Sequence, residues 1–326
     1  MLLLSEEEIR RSVSSKEALE AVAEAFAALA RGEARLPGVI YLDLQEFNGD
    51  VHVKGAHMRG ASHFAIKVAG GWYDNPSRGL PVGTGLVLVF SAETGAPAAL
   101  LLDNGYLTDL RTGAAGALAA RHLARDPLSK VAMIGAGLEA RFQLRALADV
   151  RALPRIEAWS RDPANARRFA EEMRDELGAD VEVAPDVESA VREADLVVTA
   201  TPAREPLVRA DWLSSGVHVT ALGSDGPAKQ ELDVDVLARA DLVVVDDLEQ
   251  AAEKGELHHA LEAGALTRDR VAAQLGDLVS GDHPGRTDDS QITVADLTGV
   301  GVQDAAVASL ALERAEAAGL GRDLPT

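Results

Sequence analysis

Four features of this sequence have the residue types and spacing for chemistry: Lys67, Arg111, Asp225 and the glycine turn Gly135-Ala136-Gly137. Lys67 lies in His63-Phe64-Ala65-Ile66-Lys67-Val68. Strand alternation sends Phe64, Ile66 and Val68 to one face and Lys67 to the other, beside Ala65 and Ala69. A lysine framed by alanines has open space around its ammonium. In a cleft its pKa would fall, suiting it to act as acid or base at a carbon–nitrogen centre. The alternative is a surface lysine snorkelling from its strand.

Arg111 falls in residues 107–123, a helix-compatible stretch rich in alanine and glycine, with Thr108 as candidate N-cap. Arg111 and Thr112 then sit in the first turn, where a cation opposes the helix dipole. An anion would answer it, either a substrate carboxylate or a cofactor phosphate; so would a surface pairing with Asp109 or Asp126. Asp225, in Gly223-Ser224-Asp225-Gly226-Pro227, follows a predicted strand at 217–222. Carboxylates at such strand ends lie where α/β sheets hold ligands. Asp225 is thus the best acid/base candidate, its alternative being a turn-forming Asx residue.

The elements that must position these groups radiate from residues 130–140, KVAMIGAGLEA. A short apolar run ends at Gly135-Ala136-Gly137 and a helix-compatible segment follows. Glycines there let the backbone approach a pyrophosphate, and the helix amides receive its charge. Ala140 allows close helix–strand packing. Further runs at 155–159, 195–199, 217–222 and 242–246 fit parallel strands, and 292–297 another, running into Thr298-Gly299. Asp162 and Pro163 read as N-cap and first residue of a helix to Leu177. NAD-specific folds place an acid at the end of the second strand. Here it reads Trp159-Ser160-Arg161, and Ser160 and Arg161 suit a 2′-phosphate, so NAD and NADP both stay open. Thr201, after 196–199, lies on a small-residue edge suited to a cofactor.

Ahead of this, residues 2–4 read as a strand with Ser5 capping a turn, and Ser15 as the cap of an amphipathic helix ended by Gly32. The period then changes to two, with strands expected at 39–44, 51–54, 64–68, 86–90 and 98–102. An alanine-rich helix at 303–314 is expected to return to this first domain. The fold class expected is α/β: a Rossmann dinucleotide-binding domain, 118–303, plus a sheet-rich substrate-binding and dimerisation domain, 1–117, completed by 304–326.

The chain has 326 residues, 47% of them apolar, and carries 32 basic against 52 acidic side chains, a net charge of −20. That makes nucleic acid and an anionic membrane poor partners. Cysteine is absent, which removes thiolate nucleophiles and Cys-ligated metals. MLLLSEEE is too short for a signal peptide and no apolar run approaches the ~20 residues of a membrane helix, so cytoplasm is the default. The histidines lack HExxH spacing, and the adjacent pair His258-His259 would point about 100° apart on a helix, so no metal site is expected.

The chain resembles the ornithine cyclodeaminase/mu-crystallin family. The stretches that carry the resemblance are GLPVGTGLVLVFSAETGAPAALLLDNGYLTDLRTGAAGALAARHLA, VAMIGAGLEARFQLRAL, GSDGPAKQELD and ITVADLTGVGVQDAAVA. The stretch VHVKGAH…FAIKVA…DNP…GLPVG looks most like the ectoine-utilisation branch. The resemblance implies a homodimer built by the first domain and a small amino or imino acid substrate. It also implies hydride transfer at the α-carbon through an imine, by a dehydrogenase or imine reductase, or a redox-neutral cyclodeaminase (an ammonia lyase); a non-catalytic cofactor binder is the remaining alternative. The family's catalytic lysine falls on Lys67, its carboxylate-binding arginine on Arg111 and its acid/base aspartate on Asp225. Its cofactor contacts fall on Thr112, the loop Gly135, Gly137, Leu138, Glu139 and Ala140, and on Ser160, Arg161, Thr201, Leu222 and Gly299.

This chain departs from the family at two places. Leu36-Pro37-Gly38 leaves Arg35 displaced from a family arginine that holds the substrate carboxylate. Lys54-Gly55-Ala56 stands where many members have Met-Pro-Ala, so ornithine is not carried over as substrate. Alternation puts His52 and Lys54 on one face of their strand. If that strand neighbours the one holding Lys67, Lys54 brings a further cation to the same cleft and favours a dicarboxylic substrate; the alternative is that both residues are solvated.

Overall fold

The computed structural model describes residues 1–325, which divide into two compact units, Met1–Arg111 with Val300–Thr326 and Thr112–Gly299. The chain begins β1 (Leu2–Ser5), α1 (Glu6–Ser12), α2 (Ser15–Ala30), β2 (Ala34–Arg35) and β3 (Ile40–Leu44). There follow β4 (Gly49–Met58), β5 (His63–Trp72), β6 (Gly83–Ser91), β7 (Pro97–Leu102) and α3 (Tyr106–Leu123). Next come β8 (Lys130–Ile134), α4 (Leu138–Val150), β9 (Arg155–Trp159), α5 (Pro163–Leu177), β10 (Val181–Val183) and α6 (Val187–Val191). After β11 (Leu196–Thr199) and β12 (His218–Ala221) the chain forms α7 (Val234–Arg239), β13 (Leu242–Val245), α8 (Leu248–Glu253) and α9 (Glu256–Glu262). It closes with β14 (Val271–Gln274), α10 (Leu275–Ser280), β15 (Thr293–Asp296), α11 (Gly301–Ala317) and β16 (Arg322–Asp323). No helix among the described residues is long and apolar enough to cross a membrane.

In the first unit the strands run β16-β1-β7-β6-β5-β4-β2, with β3 also on β4. One face of this sheet is covered, because α11 packs against β4, β5 and α2. Ala65, Val87, Val89, Ala99 and Leu101 are buried on it, and so are His52, Lys54 and Lys67. The alternate residues Phe64, Ile66, Val68, Leu86, Leu88 and Phe90 are only half-buried. Period-two alternation therefore sorts β5 correctly into two faces, but the face holding the lysine is the covered one. His52 and Lys54 are not solvated, being 6% and 4% exposed.

Helix α2 starts one residue earlier than Ser15 as cap would give. Ser14 is the N-cap, and Glu17 completes a reciprocal capping box with it, an arrangement that stabilises a helix by about 1 kcal/mol. Ser5 and Glu8 form the same box on α1. Thr108 does not cap α3. That helix begins two residues before it, at Tyr106, after an Asp103-Asn104-Gly105 turn whose Asn104 and Gly105 have φ of 50° and 90°. The Asp103 carboxylate accepts the Leu107 N–H at 2.9 Å. Arg111 and Thr112 consequently lie in the second turn, where the free amides of the helix end no longer reach.

The second unit is a wholly parallel eight-stranded sheet, β10-β9-β8-β11-β12-β15-β13-β14. The short β10 and the alanine-containing β14 lacked an apolar run long enough to be read from sequence. Its core of Ala132, Ile134, Val197, Val219, Val243 and Val294 is buried, as expected of strands covered on both faces. The division between units falls inside α3, after Arg111 and not at 117, and the chain returns at Val300 and not at 304. A helix is continuous across residues that belong to different cores, so periodicity cannot mark that point.

Candidate active site

In the first unit, β4 and β5 pair so that Lys54 and Lys67 stand directly opposite each other in register. Both point to the covered face, and α3 brings Arg111 there, 6% exposed. Among these cations lies a residue that sequence reading passed over, Asp304 on α11, itself 2% exposed. Lys67 Nζ donates to Asp304 Oδ1 at 2.8 Å, and Arg111 Nε is 3.2 Å from the same oxygen. Burial pushes the Lys67 pKa down; the Asp304 charge opposes this, Arg111 adds to it, and Asp103 opposes it. Burial would raise the Asp304 pKa, but Lys67, Arg111 and Lys54 together hold it below the ordinary aspartate value.

The only sequence signal for Asp304 was an acid in the first turn of an alanine-rich helix, which reads as an ordinary answer to the helix dipole. Its neighbour Gln303, fully buried, clamps Arg111. The amide Nε2 donates to the Arg111 carbonyl at 3.2 Å, while Oε1 accepts from Arg111 Nη1 at 3.4 Å and from Val300 N at 2.8 Å.

The second unit carries the glycine turn between β8 and α4. Gly135 has φ of +116°, and a Cβ there would lie 2.5 Å from the Ala200 carbonyl oxygen, so only glycine serves. A Cβ on Gly137 would meet nothing within 4 Å, and α4 has no side-chain cap. Open space before uncapped helix amides is a cradle for a diphosphate, so the residues present fit a dinucleotide. Ala140 is fully buried, and Leu138 is 51% exposed at the mouth of the turn, next to Glu139. Ser160 is half-buried and Arg161 exposed, just beyond β9. Glu157, the acid of that strand, pairs with Lys130 and Arg155.

The strand ends beyond this turn are tied together by Glu231, a second residue with no role assigned from sequence. Its carboxylate accepts from Thr199 Oγ1, Thr201 N, Thr201 Oγ1 and Gly223 N, all at 2.7 Å. Thr201 thus spends its hydroxyl on the protein. Leu222 is 9% exposed and donates its N–H to the Thr199 carbonyl. Glu256 in turn accepts from Glu231 N and Leu232 N, and Asp296 from Leu257 N. Burial raises the pKa of Glu231 and, with the charges of Asp296 and Glu231, raises that of Glu256 further. Asp296 is pushed up to about 8, first by burial. Asp246 accepts from Gly299 N at 2.6 Å, fixing the turn that ends the unit.

Asp225 is partly exposed and ion-paired with Lys229 Nζ at 2.7 Å. Thr112 is buried, its carbonyl accepting from Gln143 Nε2 at 2.8 Å. The expectation that His258 and His259 diverge needs correction. Together with Glu262 they place donor atoms within 4.8 Å of one another, because side-chain torsions bring back what the backbone angle separates. His258 Nε2 lies 3.4 Å from Glu262 Oε2, and His259 Nε2 meets the Lys229 carbonyl at 2.8 Å.

The chain is similar to known proteins over nearly its whole length. A relative described as an uncharacterized cyclodeaminase of Sinorhizobium fredii is 46% identical over 97% of this chain and 96% of its own. The structure of Thermococcus litoralis Δ1-pyrroline-2-carboxylate reductase, in complex with NADH and L-proline, superposes with a TM-score of 0.95 at 32% identity, covering 99% of this chain and 100% of that one. An archaeal alanine dehydrogenase dimer with bound NAD superposes with a TM-score of 0.93 at 39% identity, covering 100% and 99%. Residues 1–319 match the model of one family, and the chain belongs to it: the ornithine cyclodeaminase/mu-crystallin family.

Proposed function

We infer that this chain is an NAD(P)-dependent enzyme acting on a small amino or imino acid, by hydride transfer at the α-carbon through an imine. The observation that carries this is the buried pair Lys67 and Arg111, which share the Asp304 carboxylate, with Lys54 in register beside Lys67. An arginine and a lysine held together in this way suit a ligand with a carboxylate next to a nitrogen. Arg111 holds the substrate carboxylate with its planar fork. Lys67 donates to the amine or imine nitrogen and holds a proton there, and Asp225 takes up the amine proton or activates water. Gly135, Gly137 and the N–H groups of Leu138, Glu139 and Ala140 would hold the diphosphate of a dinucleotide, which when bound would supply or accept the hydride. Ser160 and Arg161 would serve its ribose end, and Thr112, Thr201, Leu222 and Gly299 would be further contacts.

Lys54, a buried cation in register with Lys67, favours a dicarboxylic substrate, such as an aspartate-like or N-acylated diamino acid. The latter would suit the ectoine-utilisation branch, whose pattern VHVKGAH holds Lys54. The half-buried apolar face of the first unit's sheet supports a homodimer formed there.

The test supplies L-alanine, L-proline, L-ornithine, L-aspartate and an N-acetyl diamino acid with each oxidised cofactor, and pyruvate with ammonia in the reverse direction. Reduced cofactor and ammonia are followed together. Accumulating reduced cofactor identifies a dehydrogenase, and ammonia without it a cyclodeaminase. No change of either with any substrate would remove the enzymatic reading.

A further inference from the structure

Asp304 is buried among cations from three different segments of the first unit: Lys54 on β4, Lys67 on β5 and Arg111 on α3. Only its Oδ1 is engaged, by both Lys67 and Arg111. Oδ2 is buried and accepts no hydrogen bond from the described residues. An aspartate kept for stability alone has both oxygens satisfied, since an unmade buried hydrogen bond is costly. We propose that Asp304 is a positioning residue, the shared counter-ion that aims Lys67 and Arg111 at one ligand. This rests on the reading of those two side chains as the substrate-binding pair.

The surrounding structure is built to hold Asp304 at that point. A Cβ on Gly301 would collide with the Gly55 carbonyl, so α11 approaches β4 as closely as two backbones allow, one residue from Lys54. Gln303 then locks the Arg111 carbonyl and guanidinium from the same turn of α11. Lys67 and Arg111 would otherwise repel each other. Bridged by one oxygen, they are held at a fixed separation, which is what simultaneous engagement of a carboxylate and its neighbouring nitrogen requires. The same carboxylate opposes the loss of the Lys67 proton that burial favours.

The lysine side chains are labelled with 15N, and the Lys67 Nζ signal, assigned by its loss in Lys67→Arg, is titrated by NMR in the full chain. In Asp304→Asn the titration should move to lower pH by about one unit or more; in Arg111→Gln, where Lys67 no longer shares Oδ1 with a guanidinium, it should move to higher pH. A Lys67 titration that stays in place in either folded variant overturns the proposal, and Arg111→Gln serves alone should Asp304→Asn fail to fold. Asp304→Glu, which keeps the charge, should restore most of the shift. Because this readout needs no turnover, it separates the proposal from the functional reading. Full activity of Lys67→Met would sink the latter and leave the titration standing, whereas an inactive Lys67→Met with unmoved titrations sinks only the former.

Discussion

Lys54 has the sharpest consequences among single residues. It is buried, in register with Lys67, and adds charge to a cluster that already holds two cations. If a second substrate carboxylate faces it, Lys54→Met should lower kcat/KM for a dicarboxylic substrate at least about tenfold, roughly 1.4 kcal/mol. A neutral substrate such as alanine should be spared. Equal kcat/KM for the dicarboxylate in both proteins would end that assignment. Arg161 discriminates differently. With Glu157 committed to Lys130 and Arg155, no acid of β9 is left for ribose hydroxyls. Arg161→Asp should weaken NADPH far more than NADH in a fluorescence titration, and equal weakening would show that Arg161 points away from the phosphate.

Among elements, the carboxylates Glu231, Glu256, Asp246 and Asp296 bind together β11, β12, β15 and the loops between them through backbone N–H groups. Burial raises the pKa of Glu231, Glu256 and Asp296, and neighbouring carboxylates add to it for Glu256 and Asp296, so folding takes up protons that the unfolded chain would release. For Asp296, raised from an ordinary value of about 4 to about 8, the folded state alone keeps the proton between those values. Stability should therefore fall as pH rises from about 4 to about 8 and level off above. Asp296→Asn cannot ionise, so its melting temperature should fall less than that of the wild type over this window. A wild-type Tm that is flat from pH 5 to 8, or an equal slope in the variant, would contradict the assigned proton.

Elements also show what the sequence could reveal. The glycine turn and the Asp162-Pro163 helix start were legible because each signal is complete within a few neighbouring residues. Asp162 does cap α5, through Ala164 N. The lysine's environment was not legible, because its partner lies 237 positions further along. Alternation assigned faces without showing which face α11 would cover. Thr108 misled because a hydroxyl near a helix start is a common cap, whereas the Asp-Asn-Gly turn just upstream was the operative signal. Glu231 stood inside a recognised motif, but its four hydrogen-bond donors come from two separated segments, Thr199 to Thr201 and Gly223.

At the scale of the whole molecule, charge and apolar surface act against each other. Ile40, Leu42, Phe47 and Leu80 are each more than half exposed in the first unit, at 57, 52, 59 and 54%. Phe64 and Phe90 stack across β5 and β6 at 5.0 Å on the half-buried face. Two chains each carrying −20 repel one another, and salt screens that repulsion. Light scattering should find a dimer whose dissociation constant falls as ionic strength rises. Ile40→Glu with Leu42→Glu should give a folded monomer. A monomer in the unsubstituted protein at micromolar concentration and 0.5 M salt would remove the proposed association.

The discontinuity of the first unit has a temporal consequence. Ribosomes release residues in order, so Lys54, Lys67 and Arg111 emerge long before Asp304, with the whole of Thr112–Gly299 made in between. During that interval the nascent first unit holds three cations without α11, which covers that sheet face, and without the Asp304 carboxylate that Lys67 and Arg111 share. The Rossmann-like unit, contiguous in the chain, has no such wait. Stalled chains ending before Val300 should therefore resist protease across 112–299 while being cut within 1–111, and protection of both regions before α11 is made would show that the sheet closes without its counter-ion.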